Sequence, residues 1–302
     1  MRGSRMEHSS EAHRRIPLKD GGIRIREMTA EDVDIGMKFK ELAGWNQTGA
    51  DWERFLAIAP GGCFVAEVED EPVGTVVTVI FEDRCGWVAM VLVPPQHRRK
   101  GIGTAMLHHG IDYLKSSSVE TIKLDATPMG REVYLPLGFV DEYGLERWEG
   151  KGQAFEVENV FAMSESDLSD VIALDTPVYG LSRAALVRRL FEDSNGVCGL
   201  VRNEDGEVQG YAMARPGSNA WQLGPVLANS RDAGEELIKW SLSRLADQPV
   251  FFDVPLVNQD GVAIAKACGF SVQRQFTRMY LGERPFAGQP SFVYATSGPE
   301  KG

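Results

Sequence analysis

The chain reads as two copies of one pattern, and that repetition limits its fold more than any local propensity. Met28-Thr-Ala-Glu-Asp-Val33 returns as Met163-Ser-Glu-Ser-Asp-Leu168, with Thr29 or Ser164 as a helix N-cap ahead of acidic first-turn residues. Gly62-Cys-Phe-Val-Ala-Glu-Val-Glu-Asp70 returns as Gly196-Val-Cys-Gly-Leu-Val-Arg-Asn-Glu-Asp205, two apolar strands running into acidic turns. Val73-Gly74 matches Val208-Gln209-Gly210, Leu124-Asp125 matches Phe252-Asp253, Gly138-Phe139 matches Gly269-Phe270, and the copies close at Gly150 and Gly282. The order never breaks and the offsets stay between 128 and 136 residues, so the series is not chance. The repeat predicts two units, 21–150 and 151–302, joined near Lys151-Gly152-Gln153 and preceded by a mobile tail over 1–20. Each unit reads as strand, two helices, three mainly antiparallel strands, helix, strand, helix and closing strands. The fold class is therefore α/β, two tandem domains each with a mixed, mostly antiparallel sheet flanked by helices. The fourth and fifth strands of a unit would run parallel, joined by a helix.

With 302 residues and 43% apolar content, the chain has material for two cores. A net charge of −11 disfavours a nucleic-acid surface, because duplex binding rests on many phosphate-neutralising Lys and Arg contacts. Cys63, Cys85, Cys198 and Cys268 are scattered among apolar or small residues without CxxC pairs, which predicts buried free thiols and a reducing cytoplasm. The first twenty residues lack the apolar core of a secretory signal, and no apolar run approaches the roughly 20 residues that span a bilayer.

Local chemistry concentrates at residues 91–105, Val-Leu-Val-Pro-Pro-Gln-His-Arg-Arg-Lys-Gly-Ile-Gly-Thr-Ala. An apolar strand stops at prolines, turns through Arg98, Arg99 and Lys100, and opens a helix carrying Ile102, Met106, Leu107, Ile111 and Leu114 at helical spacing. Gly101 and Gly103 remove side chains where backbone would approach a ligand, and the helix aims N–H groups and its positive dipole end at an anion.

This segment resembles the coenzyme A loop of the GNAT N-acetyltransferase superfamily, in which Arg or Gln is followed by two residues, Gly, one residue, then Gly or Ala; Arg98, Gly101 and Gly103 fill it. Tyr134-Leu-Pro-Leu-Gly-Phe139 resembles the tyrosine and Gly-Phe signature of the same family. The resemblance spans about residues 23 to 150 and implies acetyl-CoA as cofactor, held by Val91, Leu92, Val93, Arg98, Arg99, Lys100, Gly101, Ile102, Gly103, Thr104, Ala105 and Tyr134. It also implies that strands four and five splay to admit the acyl-pantetheine arm. The second unit has Leu223-Gly-Pro-Val-Leu-Ala-Asn-Ser-Arg-Asp-Ala-Gly-Glu-Glu236 in place of the loop, with one glycine, Gly234, at the helix entry and acids where phosphates would sit. Ala265 stands where Tyr134 stands in the first unit, so the second unit resembles a degenerate copy that shapes the substrate cleft.

Acetyl transfer by direct attack needs mainly positioning. A backbone N–H around Val91 to Val93 would polarise the thioester carbonyl, at a kink on Met90, Val91 or Leu92. By the resemblance, Tyr134 protonates the departing thiolate; the alternative is a core tyrosine. Trp87 to Val93 contains no acid, so Glu82, Asp83, Asp125 and Glu142 stand as candidate bases, each also readable as a solvated or turn carboxylate. Asp253 repeats Asp125 and suggests a structural task for it, and the base stays unassigned. His108 and His109 are adjacent on a helix and point apart, so no metal is expected. Trp45, Asp51 and Trp52 either wall the acceptor pocket or anchor the helix pair, and Asp175, Tyr179 and Arg183 either line the interdomain face or cap a helix. The sequence thus predicts a cytoplasmic acetyl-CoA-dependent N-acetyltransferase acting on a small-molecule primary amine, monomer or homodimer, with neither nucleic acid nor membrane as partner. An acyl-CoA-binding sensor without turnover and a protein-lysine acetyltransferase are the alternatives.

Overall fold

A computed structural model describes residues 15–16, 22–283 and 288–302. The first half runs β1 (Arg15–Ile16), β2 (Ile23–Glu27), α1 (Val33–Leu42), α2 (Gly49–Ile58), β3 (Cys63–Val68), β4 (Glu71–Phe81), β5 (Cys85–Leu92), α3 (Ile102–Ser116), β6 (Thr121–Ala126), α4 (Pro128–Tyr134) and β7 (Val140–Lys151). The second half repeats the order with β8 (Phe161–Ala162), α5 (Leu168–Tyr179), α6 (Ala184–Asp193), β9 (Cys198–Arg202), β10 (Val208–Arg215), β11 (Trp221–Ala228), α7 (Arg231–Arg244), β12 (Pro249–Pro255), α8 (Gln259–Ala267), β13 (Ser271–Gly282) and an added β14 (Val293–Ala295). Of the expected tail, Arg15–Ile16 pairs antiparallel with β2; residues 1–14 and 17–20 lie outside the described residues.

Both halves start with the same local device. Thr29 and Ser164 are extended N-caps whose hydroxyls and backbone N–H groups meet Asp32 and Asp167, so an acidic side chain closes the first turn of each helix pair. On one face of the first half, α3 covers Ile23, Phe64, Val76, Val88, Ile122 and Leu124. A second core lies under α7 and α8, with Leu223, Leu237, Phe252 and Phe270. The third core belongs to both halves, joining Phe39, Trp52, Phe55 and Trp87 to Leu168, Leu186, Leu200 and Tyr211, and so fixes the halves against each other.

The closing strands do not stay with their own halves. The sheet runs β1-β2-β3-β4-β5-β6-β13-β7-β12-β11-β10-β9-β8, so β13 of the second half pairs with β6, and β7 of the first pairs with β12. The boundary expected near residue 150 follows the order of the repeat, whereas the sheet exchanges the last strand of each half. A bidentate ion pair pins each exchange. Arg278 on β13 meets Asp125 on β6 at 2.8 and 2.9 Å, and Arg147 on β7 meets Asp253 on β12 at the same two distances. The recurrence of Asp125 as Asp253 therefore marks a structural pair.

Candidate functional site

On β5 the ladder with β4 jumps between Thr75↔Leu92 and Val77↔Ala89, and Met90 takes a φ of +51°. The Thr75 hydroxyl donates to the Met90 carbonyl at 2.8 Å and holds the bulge. The kink expected on Met90, Val91 or Leu92 thus falls at Met90. Beside it, β5 and β6 pair in parallel only over Cys85–Trp87 and Thr121–Lys123, then diverge and leave a gap along Val91 to Val93.

The chain then passes through Pro94 and Pro95, and Arg98 Nε donates to the Val93 carbonyl at 2.9 Å, folding the basic loop back on the strand end. Gly101 is the N-cap of α3 with a φ of +83°, a conformation that favours glycine. No side chain caps this helix, and its first turn holds no acid. Ile102 and Ala105 anchor the helix in the core, while Arg98, Arg99, Lys100 and Thr104 are exposed. A Cβ at Gly103 would meet only Val93 Cγ2, at 3.6 Å, so the groove beside it is open. The loop, the α3 N-terminus and the β5 gap form a cradle for an anion carrying a narrow arm. Tyr134 ends α4, tilts against Phe139 with ring centroids 5.8 Å apart, and packs into the same core as Val91 and Val93. Burial pushes its phenol up to about 12, so it holds its proton at neutral pH.

The equivalent cleft of the second half is filled by the chain itself. There β11 and β12 pair in parallel only at Trp221↔Val250 and Gln222↔Phe251, and β14 enters the opening to pair with β11 at Val226↔Ala295 and Leu227↔Val293. Thr296 N–H donates to the Asp253 carbonyl at 2.9 Å. The Tyr294 ring lies on α7 at Gly234, where a Cβ would come within 2.5 Å of it. Ser230 caps α7 by accepting from Ala233 N–H at 3.3 Å, and Asp232 sits in the first turn.

The face of β5 and β6 opposite α3 carries Trp87, Lys123 and Asp125, because their neighbours Ile122, Leu124 and Ala126 point into the α3 core. Arg278 is its hub: besides Asp125 it donates to the Tyr143 hydroxyl at 2.8 Å and stacks 4.8 Å from the Trp87 ring. The sequence signal for Arg278, missed in the reading above, is its match to Arg147 at an offset of 131 residues, inside the range of the repeat. Tyr179 arrives from α5 and stacks on Arg183, which pairs with Asp175 at 2.7 Å.

Asp51 and Trp52 are buried, and Trp45 is half-buried against the shared core. Trp52 is fully buried over Gly36 in the shared core. Asp51 is buried and taken up by Arg54, Arg215 and Lys301. Burial raises the Asp51 carboxyl, but those three cations outweigh it and hold the group well below the usual carboxylate range. The Trp45 carbonyl accepts from Asn219 at 3.3 Å in the contact between halves. All four cysteines are buried free thiols, no helix among the described residues is long and apolar enough to cross a membrane, and no group of three metal-ligating side chains forms among them.

Residues 34–139 match the Acetyltransferase (GNAT) family and residues 171–295 match an Acetyltransferase (GNAT) domain family. The chain is 28% identical to holothin acyltransferase of Pseudoalteromonas, across 85% of this chain and 87% of that protein. It is 25% identical to an uncharacterised N-acetyltransferase of Bacillus subtilis, across 70% and 75%. A candidate acetyltransferase of Pyrococcus horikoshii has the same fold, with a TM-score of 0.82 at 23% identity over 98% of this chain and 100% of that one. A tandem GNAT protein from the clavulanic acid biosynthesis pathway aligns with a TM-score of 0.59 at 15% identity, over 87% and 99%.

Proposed function

The chain is an acyltransferase built of two GNAT domains in tandem, and on that premise we propose that its first half transfers an acetyl group from acetyl-CoA to a primary amine of a small molecule. The observation that carries the assignment to one half is the contrast between the clefts: the gap beside β5 is open and basic, whereas its copy beside β11 holds β14. The diphosphate of the donor would rest on the uncapped N-terminus of α3 and on Arg98, Arg99 and Lys100, with Gly101 and Gly103 leaving room. The acyl arm would pass between β5 and β6, where a bulge N–H around Val91 to Val93 meets the thioester oxygen. The amine nitrogen would attack the carbonyl carbon, forming the C–N bond and breaking the C–S bond; Tyr134 would give its proton to the thiolate, and the proton shed by the new amide nitrogen would return through solvent to the phenolate. Holothin acyltransferase, by its name, transfers an acyl group, which supports acyl transfer by this chain. Buried free thiols suit a reducing compartment such as the cytoplasm.

Calorimetry with acetyl-CoA tests the reading. One site per chain is expected, and Gly101→Val should weaken it at least tenfold, because a β-branched side chain at a φ of +83° disrupts the helix entry. Two sites per chain, no uptake, or uptake without amine-dependent thiol release across an amine library would overturn it; the last result would favour a sensor.

A further inference from the structure

We propose that the acceptor is a small amine carrying a second hydrogen-bonding group, held by Glu142, Tyr179 and Trp87 on the face of β5 and β6 opposite α3, so that both halves build the acceptor site. This rests on the reading of acetyl transfer by the first half. Trp87 Nε1, Glu142 Oε2 and the Tyr179 hydroxyl are buried polar atoms with no hydrogen-bond partner among the described residues. Native interiors seldom leave such atoms alone; Trp87 and Tyr179 lie beside Arg278, and Glu142 borders its partners Asp125 and Tyr143. Arg278 stacks on Trp87 and bonds Tyr143, and its charge interacts with the Tyr179 phenol. Glu142 interacts with Asp125 and Tyr143 and receives Lys123 Nζ on its other oxygen, Oε1, at 3.1 Å. Together they offer one donor, one carboxylate oxygen and one hydroxyl.

Strand geometry explains how Glu142 reaches this face. Arg278 pairs with Tyr143 and Met279 with Asp141, so Glu142 is the extra residue of a β-bulge that turns it toward Lys123 beside Tyr143. The second half repeats the bulge at Gln273, between Val272↔Trp148 and Arg274↔Arg147. There the side chains satisfy one another: Arg274 Nε donates to Gln273 at 2.9 Å, and Asp253 takes both Arg147 and Gln222. The extra residue of the bulge finds a side-chain partner for its side-chain carbonyl oxygen in the second half, Gln273, and keeps a free carboxylate oxygen in the first, Glu142. Among the buried carboxylates around Arg278 and Tyr179, Asp125 is taken by Arg278, and Asp175 by Arg183 and Tyr211. Glu142 keeps a free oxygen for an ammonium and takes one of its protons, directly or through water, before the freed amine attacks, which gives the nitrogen the lone pair the new C–N bond needs.

Thiol release from acetyl-CoA with 1,4-diaminobutane, 4-aminobutan-1-ol and n-pentylamine tests this, since the three have equal heavy-atom counts. Wild type should prefer one of the first two over n-pentylamine by at least tenfold in kcat/KM. Glu142→Gln and Tyr179→Phe should each raise the KM of that amine at least tenfold and leave acetyl-CoA affinity within twofold by calorimetry. Preference for n-pentylamine, turnover of other amines with none of these three accepted, or unchanged amine KM in both variants would overturn this site alone. Absence of donor uptake by the wild type would remove the acetyl-transfer reading and this site together.

Discussion

Tyr134→Phe removes one oxygen from a residue whose ring is held by Phe139 and by the core under α3. A thiolate leaving without that proton should cost turnover about 100-fold or more, with acetyl-CoA affinity within twofold by calorimetry. Burial keeps the phenol protonated up to about 12, so the kcat profile of the wild type should show no loss from its ionisation up to about pH 10. A basic limb below that pH, absent from Tyr134→Phe, would show that burial does not hold the phenol up, whereas unchanged turnover in Tyr134→Phe would contradict the acid role. Residues of this kind are legible in sequence because their meaning is local: Gly101, Gly103 and the basic run lie within one strand-to-helix turn. Trp52 is not, because an aromatic on a helix fits a pocket wall and a packed core equally until its neighbour is known. The neighbour is Gly36, where a Cβ would approach Trp52 Cε2 to 2.5 Å. Gly36→Ala should therefore lower stability by about 1–3 kcal/mol in urea unfolding, the crowding outweighing a helix-propensity gain of about 1 kcal/mol.

At the scale of elements, the exchange of β7 and β13 is the feature a linear reading does not reach. Each strand spans 12 residues and follows the same Gly-Phe corner, so either could close either half on local grounds. Only contacts more than a hundred residues apart in sequence decide it, and the trace left in sequence is the doubled Asp and doubled Arg. Asp253→Ala should be costly, because Arg147 is left buried with its charge unpaired: about 3–5 kcal/mol by denaturant unfolding. Adding Arg147→Met should recover most of that loss, since the charge goes with its partner. A double variant as unstable as the single one would show that the pair does not secure the exchange. The β14 segment was equally illegible, because a three-residue strand carries no signal for which cleft it enters. Tyr294→Ala should destabilise by about 3–5 kcal/mol and still leave one acetyl-CoA site per chain, as Ser230 and Asp232 remain at the α7 N-terminus.

Across the whole molecule, the segment after β14 ties the halves together through buried charges. Lys301 reaches Asp51 of the first half at 3.0 Å and also pairs with Glu300, while Arg215 of the second half meets Asp51 and Glu300 and Arg54 meets Asp51 and Asp193. Three carboxylates face three cations, so the buried network is neutral overall while all six keep their charge. Lys301 is the member nearest to losing it: burial, with Arg215 beside it, pulls the ammonium down to about 8 from 10.5. Below about pH 8 the lysine is protonated in both folded and unfolded chains, and its contribution is constant. Between about 8 and 10.5 the unfolded chain still holds the proton that the folded chain has released, so stability rises with pH through this group. Asp51 works in the opposite region, since its depressed carboxyl stabilises above its ordinary value near 3.8 and that support is lost on acidification below it. Thermal unfolding of wild type and Lys301→Met in parallel should therefore show the wild type gaining on the variant from pH 8 to 10. Parallel curves across that range would mean that Lys301 titrates as an ordinary surface lysine, and that the contact with Asp51 does not persist in solution.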